Sequence, residues 1–123
     1  MKKRIALIAH DGKKAEIVAF VKEHFDIFLN MTLTATGTTG GLIEQTGLQV
    51  NKKLSGPNDG DAQIAAMAAE GLLDAILFFR DPLGKHPHEP DIQMLMRICD
   101  AHNVPLATNP ATASLLLFGL AEQ

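Results

Sequence analysis

The sequence predicts an α/β fold: a doubly wound arrangement with a central parallel five-stranded sheet flanked by helices. Three features point there. Short apolar runs alternate with longer stretches of helical spacing. The clearest strand-like runs are apolar throughout, as in strands buried on both faces. Five such β/α units then follow one another in order, the pattern of a parallel sheet covered on both sides. With 123 residues, the chain suits a single domain over residues 1–123.

Ile5–Ala9 is a continuous apolar run and reads as a buried strand. Lys13–Phe25 carries Ile17, Val18, Phe20, Val21 and Phe25 at roughly helical spacing among charges. Thr32–Thr36 is a β-branched strand, followed through a threonine and glycine turn by a short helix at Gly40–Gln45; Leu48–Val50 reads as a short edge strand. Asp61–Glu70, rich in Ala, Gln and Met, reads as a helix with Asp61 in its first turn. Ala75–Phe79 is a second buried strand and Asp91–His102 an amphipathic helix, and Val104–Thr108 and Ala111–Leu120 complete the alternation. His24 and His102 read as surface residues, and the methionines as core filler.

Composition narrows the function. Apolar residues make up 46% of the chain and charged ones 20%, which supports a sizeable core. A net charge of −3 argues against a nucleic-acid partner, which is gripped through an excess of Lys and Arg, but leaves room for one small anion held by local donors. The apolar stretches at Ala75–Phe79 and Leu115–Phe118 are too short to cross a bilayer. The polar His10-Asp11 pair interrupts the first apolar run too early for a signal peptide. The lone Cys99 cannot form an internal disulfide and fits a reducing compartment, so a cytoplasmic location is expected.

In open parallel sheets ligands sit beyond the carboxyl ends of the strands, so the residues directly after each strand are the candidates. Thr36-Gly37-Thr38-Thr39-Gly40-Gly41 has the chemistry of a phosphate cradle, with glycines for close backbone approach and hydroxyls at a helix start. It is neither a P-loop nor a dinucleotide fingerprint, and it serves equally as a strand-to-helix turn with a threonine cap. Ser55-Gly56 adds a second donor pair, and two such loops favour an anion site. Asp11 reads as a helix cap, whereas His10 has no comparable structural role. Lys14 is placed to reach an anion, or simply to be solvated. Asp61 is either a cap at a helix N-terminus or a general base; Asp59, two residues before it, would favour its protonation beside a bound phosphate. His86 and His88 lie in a proline-rich polar segment. A metal there would need more convergent ligands than an HxH pair offers, and proton transfer or carbonyl polarisation fits as well. Asp91 reads as an N-cap before Ile92.

Taken together, Ala6–Asp11 (ALIAHD), Ala35–Gly40 (ATGTTG), Ser55–Asp61 (SGP..GD), Phe78–Leu83 (FF.DPL), Pro87–Asp91 (PHEPD) and Pro105–Asn109 (PLATN) resemble the methylglyoxal synthases. The resemblance spans nearly the whole chain. It implies the methylglyoxal-synthase-like fold, a homohexamer, sensitivity to inorganic phosphate, and conversion of dihydroxyacetone phosphate to methylglyoxal and phosphate without metal or organic cofactor. By the same resemblance Asp61 is the catalytic base. His10, Lys14, Thr36, Gly37, Thr38, Thr39, Ser55, Gly56 and His88 contact substrate, with His88 polarising the carbonyl, helped by His10, and Asp11 and Asp91 supporting the site. Two departures are visible: Asp59 stands where the family leads one to expect glycine, and the sequence ends at Gln123, earlier than in many relatives. A rival reading is a non-catalytic module similar to the regulatory domain of carbamoyl phosphate synthetase, in which the threonine turn would hold an effector and the carboxylates would be caps; a cyclohydrolase-like activity is a weaker third.

Overall fold

A computed structural model describes residues 2–54, 60–84 and 92–123. In chain order the elements are β1 (Arg4–Ala9), a 3₁₀ turn (Asp11–Lys13), α1 (Lys14–Glu23), α2 (Phe25–Phe28), β2 (Thr32–Ala35), α3 (Gly37–Glu44), β3 (Asn51–Lys52), α4 (Gly60–Ala69), β4 (Ala75–Phe79), α5 (Ile92–His102), β5 (Leu106–Ala107) and α6 (Pro110–Ala121). The strands form a five-stranded sheet in the order β3-β2-β1-β4-β5, every pair parallel. The doubly wound α/β class read from the sequence is therefore the observed one.

The order has a physical consequence. The chain winds outward from β1 to β3, then returns to lay β4 against the other side of β1, so the winding direction reverses between β1 and β4. Ile5 to Ala9 pair in register with Ala75 to Phe79. Alternate residues point to opposite faces. Ile5, Leu7, Ala9, Ala75, Leu77 and Phe79 pack with α1, α3 and α6, while Ala6, Ile8, Ile76 and Phe78 pack with α4 and α5. The runs Ile5–Ala9 and Ala75–Phe79 are apolar throughout because both of their faces are covered.

Helix ends follow local chemistry. Asn109 caps α6 by accepting the Thr112 N–H at 3.0 Å, and Pro110 occupies the first helical position, where a missing N–H costs nothing. Gly71, at φ +75°, ends α4: its N–H bonds Ala68 O and the Leu72 N–H reaches back to Met67 O, closing the left-handed C-terminal motif. At the amino end of the sheet, the Arg4 N–H donates to Asp74 Oδ2 at 2.7 Å and the Asp74 N–H to Arg4 O at 2.7 Å, with the guanidinium Nε 3.3 Å from the same carboxylate.

Several expected elements are corrected. The helix expected over Lys13–Phe25 breaks at His24 into α1 and α2. His24 is half-buried rather than fully exposed: its ring packs on Phe20 at 4.4 Å and edge-on to Phe118 at 5.6 Å, and Phe118 arrives from α6, which local spacing cannot reveal. The edge strand expected at Leu48–Val50 lies at Asn51–Lys52, because pairing with Thr34 and Ala35 satisfies backbone groups and needs no apolar side chains; Leu48 joins the core instead. Met31 lies in the core on the α1, α3 and α6 face and Met67 and Met94 pack against the core of the α4 and α5 face, but Met96 is exposed.

Candidate functional site

The carboxyl ends of all the strands lie along one edge, and three of the expected residues lie there on one face. His10 continues the alternation of Ala6 and Ile8, and its ring meets Phe78 edge-on at 5.0 Å. This is the face covered by α4 and α5. Thr36, two residues beyond the buried Thr34, keeps the same parity on the neighbouring strand. Asp61 is buried in the first turn of α4, the helix packed under that face. Its position in the first turn is the one expected.

One residue between strands holds these parts together. Leu54, just after β3, donates its N–H to Gln63 Oε1 on α4 at 2.8 Å and accepts the Gly37 N–H of α3 at 3.2 Å. The N-terminus of α3 is thereby tied to the first turns of α4, and hence to Asp61. Neither Leu54 nor Gln63 stands out in the sequence, since nothing local marks a tie between two helices.

The helix α3 starts at Gly37, earlier than expected, so Gly37, Thr38 and Thr39 form its first turn rather than a loop ahead of it. Thr36 caps it in extended conformation without a side-chain hydrogen bond, and the Gly40 N–H makes the first intrahelical bond to Thr36 O at 2.7 Å. The N–H groups of Thr38 and Thr39 therefore face the edge of the sheet with the positive end of the helix dipole, which suits an anion. Among the described residues, the Thr39 hydroxyl is buried and makes no hydrogen bond. A buried polar atom in that state costs free energy unless a ligand satisfies it.

Among the described residues, His10 is held by its backbone and its ring together. It is 3% exposed, its N–H extends the β1–β4 ladder to Phe79 O at 3.1 Å, and its Nδ1 lies 2.8 Å from the Asp81 N–H. An N–H donates only to a lone pair, so Nδ1 is the acceptor and the neutral ring carries its proton on Nε2. Sequence reasoning missed Asp81 as a site residue. The Asp-Pro-Leu-Gly string was a visible turn signal, with Asp at the first position and Gly at the fourth. That the turn faces His10 depends on β4 lying beside β1.

Asp11 does not cap a helix. It opens the 3₁₀ turn, the residue at its cap position is His10, and the exposed Asp11 carboxylate accepts from Lys14 Nζ at 2.6 Å. The Lys14 ammonium is thus brought to the same turn as His10. Ser55, Gly56, Asp59, His86, His88 and Asp91 lie outside the described residues. A cleft of about 360 Å³ opens at the same edge on the opposite face, between Lys13, Arg80 and Asn109. Neither His10, Asp61 nor the threonine turn lines it.

A buried carboxylate, an oriented imidazole and a helix N-terminus lie where the winding reverses, an arrangement whose chemistry suits a small anion. Residues 16–108 match the family model of the MGS-like domain. The methylglyoxal synthase of Cupriavidus taiwanensis is 58% identical over 99% of this chain and 92% of its own length. That of Moorella thermoacetica is 56% identical over 93% of this chain and 90% of its own. A crystal structure of methylglyoxal synthase from Elizabethkingia anophelis matches with a TM-score of 0.91 and 42% identity, covering 94% of this chain and 77% of that one. The chain belongs to the methylglyoxal synthase family, a family of lyases.

Proposed function

We propose that this chain converts dihydroxyacetone phosphate to methylglyoxal and inorganic phosphate. The observation that carries the reading is the placement of Asp61, His10 and the α3 N-terminus at the same edge of the sheet. In this reading Asp61 removes a proton from the hydroxymethyl carbon, whose C–H bonds are acidified by the neighbouring carbonyl. The carbonyl oxygen gains the charge and is stabilised by the His10 Nε2–H, with His88 as the second donor; oriented donors at a developing oxyanion contribute a large part of such accelerations. The enediol hydroxyl then loses its proton as the carbon–oxygen bond to phosphate breaks, and the bonding pair leaves with the phosphate. The enol that remains takes up a proton at carbon to become methylglyoxal.

Elimination rather than isomerisation requires the breaking bond to stand out of the enediol plane. Thr36, Gly37, Thr38, Thr39, Ser55 and Gly56 grip the phosphate in that orientation and stabilise the leaving dianion, with Lys14 supplying positive charge. Asp11 supports the site by holding the Lys14 ammonium, and Asp91 is a further supporting residue. Inorganic phosphate, which matches the same donors, acts as product and inhibitor. The assembly is a homohexamer within the cytoplasm. Two features support this: α6 carries no charged residue and leaves Leu115 and Phe118 exposed, and the only cysteine is a buried free thiol. Among the described residues no helix is long and apolar enough to cross a membrane.

Purified protein incubated with dihydroxyacetone phosphate should release methylglyoxal and phosphate in equal amounts. Binding of phosphate or phosphoglycolate without either product would instead identify an effector-binding module of the same fold.

A further inference from the structure

We propose that Asp81 is a positioning residue whose carboxylate fixes the tautomer of His10. The inference deepens the reading above, in which His10 donates from Nε2. It begins with the neighbouring strands: Ala9 pairs with Phe79, the ladder runs one residue further through the His10 N–H, and the next N–H of β4's continuation turns onto the His10 ring. That bond is only as well aimed as the backbone of residue 81.

Three features aim it. Asp81 Oδ1 accepts the N–H groups of both Leu83 and Gly84 at 3.0 Å, bracing the turn from within. Pro82 follows and restricts the residue before it to extended conformations. The other carboxylate oxygen, Oδ2, is closely confined: a Cβ on Gly12 would come within 2.7 Å of it and one on Gly84 within 2.8 Å. Gly12 belongs to the turn that leaves His10, so the carboxylate is held between the segment carrying the imidazole and the segment carrying the N–H donor. Glycine at both positions is what lets the two segments close on it.

The consequence is control over a proton. With Nδ1 occupied as an acceptor, the neutral ring presents Nε2–H as a donor. If the turn loosens, Nδ1 is freed to carry the proton and Nε2 becomes an acceptor, which repels rather than stabilises a developing oxyanion.

The test is nitrogen NMR of histidine-labelled protein at neutral pH, with the His10 signals assigned by their loss in His10→Gln. The parent protein should show a neutral His10 with Nδ1 unprotonated. Asp81→Ala should show a mixture of the two tautomers, together with a fall in kcat of roughly 10–100-fold, the scale of a misplaced catalytic group, and little change in KM. Asp81→Asn retains an oxygen acceptor for Leu83 and Gly84 and should restore both the single tautomer and most of kcat. Should Asp81→Ala fold poorly, Gly12→Ala pushes on Oδ2 without removing it and should disturb the same tautomer signal. An unchanged tautomer in a folded Asp81→Ala overturns the proposal whatever happens to the rate, as does an asparagine variant as disturbed as the alanine one. The tautomer is read without substrate, so a chain that failed to make methylglyoxal would sink the proposed reaction and leave this test standing.

Discussion

At its amino end β1 meets β4 through Arg4 and Asp74; at its carboxyl end it meets the continuation of β4 through His10 and Asp81. Both ties pair a backbone N–H with a side-chain acceptor across the same two strands, at 2.7 Å and 2.8 Å. They differ in what surrounds them. The Arg4 and Asp74 side chains are 37% and 28% exposed and carry opposite charges. Burial alone would raise the Asp74 pKa, but the hydrogen bonds and charge of Arg4, with the charge of Lys3, hold it below the ordinary carboxylate value. His10 is buried at 3% exposure, and its partner there is a backbone N–H. The first tie contributes stability, and the second decides where a proton sits.

Substitutions sharpen the contrast. The largest effect is expected beside the buried tie. Asp61→Asn keeps shape and some capping ability but removes the proton acceptor, so kcat should fall by about 10²–10⁴-fold. Solvent-proton exchange into dihydroxyacetone phosphate should fall with it, and a folded variant keeping most of its turnover would return Asp61 to the role of a helix cap. Next is His10→Gln, which removes the imidazole donor. Its kcat should drop by roughly 10²-fold, the scale of a lost oxyanion donor, while phosphoglycolate binding, measured by calorimetry, weakens less.

At the opposite end the expectation reverses. Asp74→Ala should cost about 1 kcal/mol in urea unfolding and leave kcat where it was; a loss of turnover would erase the division of labour between the two ends. The sign with pH follows from the lowered pKa. A carboxyl that binds its proton more weakly when folded stabilises the fold fully above the unfolded pKa of about 3.9, and that contribution is lost as pH falls through the lower folded value. The parent should therefore lose more stability than Asp74→Ala on acidification through that window.

The smallest effect concerns Cys99, which is buried, with its thiol pushed up to about 11 by burial and by the Asp100 charge. Labelling by a thiol reagent at pH 8 should be slow in the native protein and fast after denaturation. A raised pKa favours the fold below the unfolded thiol value and loses that contribution as pH rises toward 11, so Cys99→Ala should flatten the alkaline limb of the stability profile.

Periodicity and residue type alone determined the class of fold, the two central strands and the helix that carries Asp61 in its first turn. Ile5–Ala9 and Ala75–Phe79 are apolar throughout because both their faces are covered, and such a run is readable without knowing what covers it. The donors of the threonine and glycine segment after β2 were legible as residue types, but the helix begins at Gly37, inside that segment, rather than at Gly40 as expected. What only the tertiary structure decided are the relations between distant segments: Leu54 bridging α3 and α4, Phe118 covering His24, and the Asp81 turn facing His10. Each joins groups whose neighbourhood depends on strand order. A local string records which hydrogen-bonding groups a residue owns. Which partner meets them is decided when β4 returns to lie beside β1.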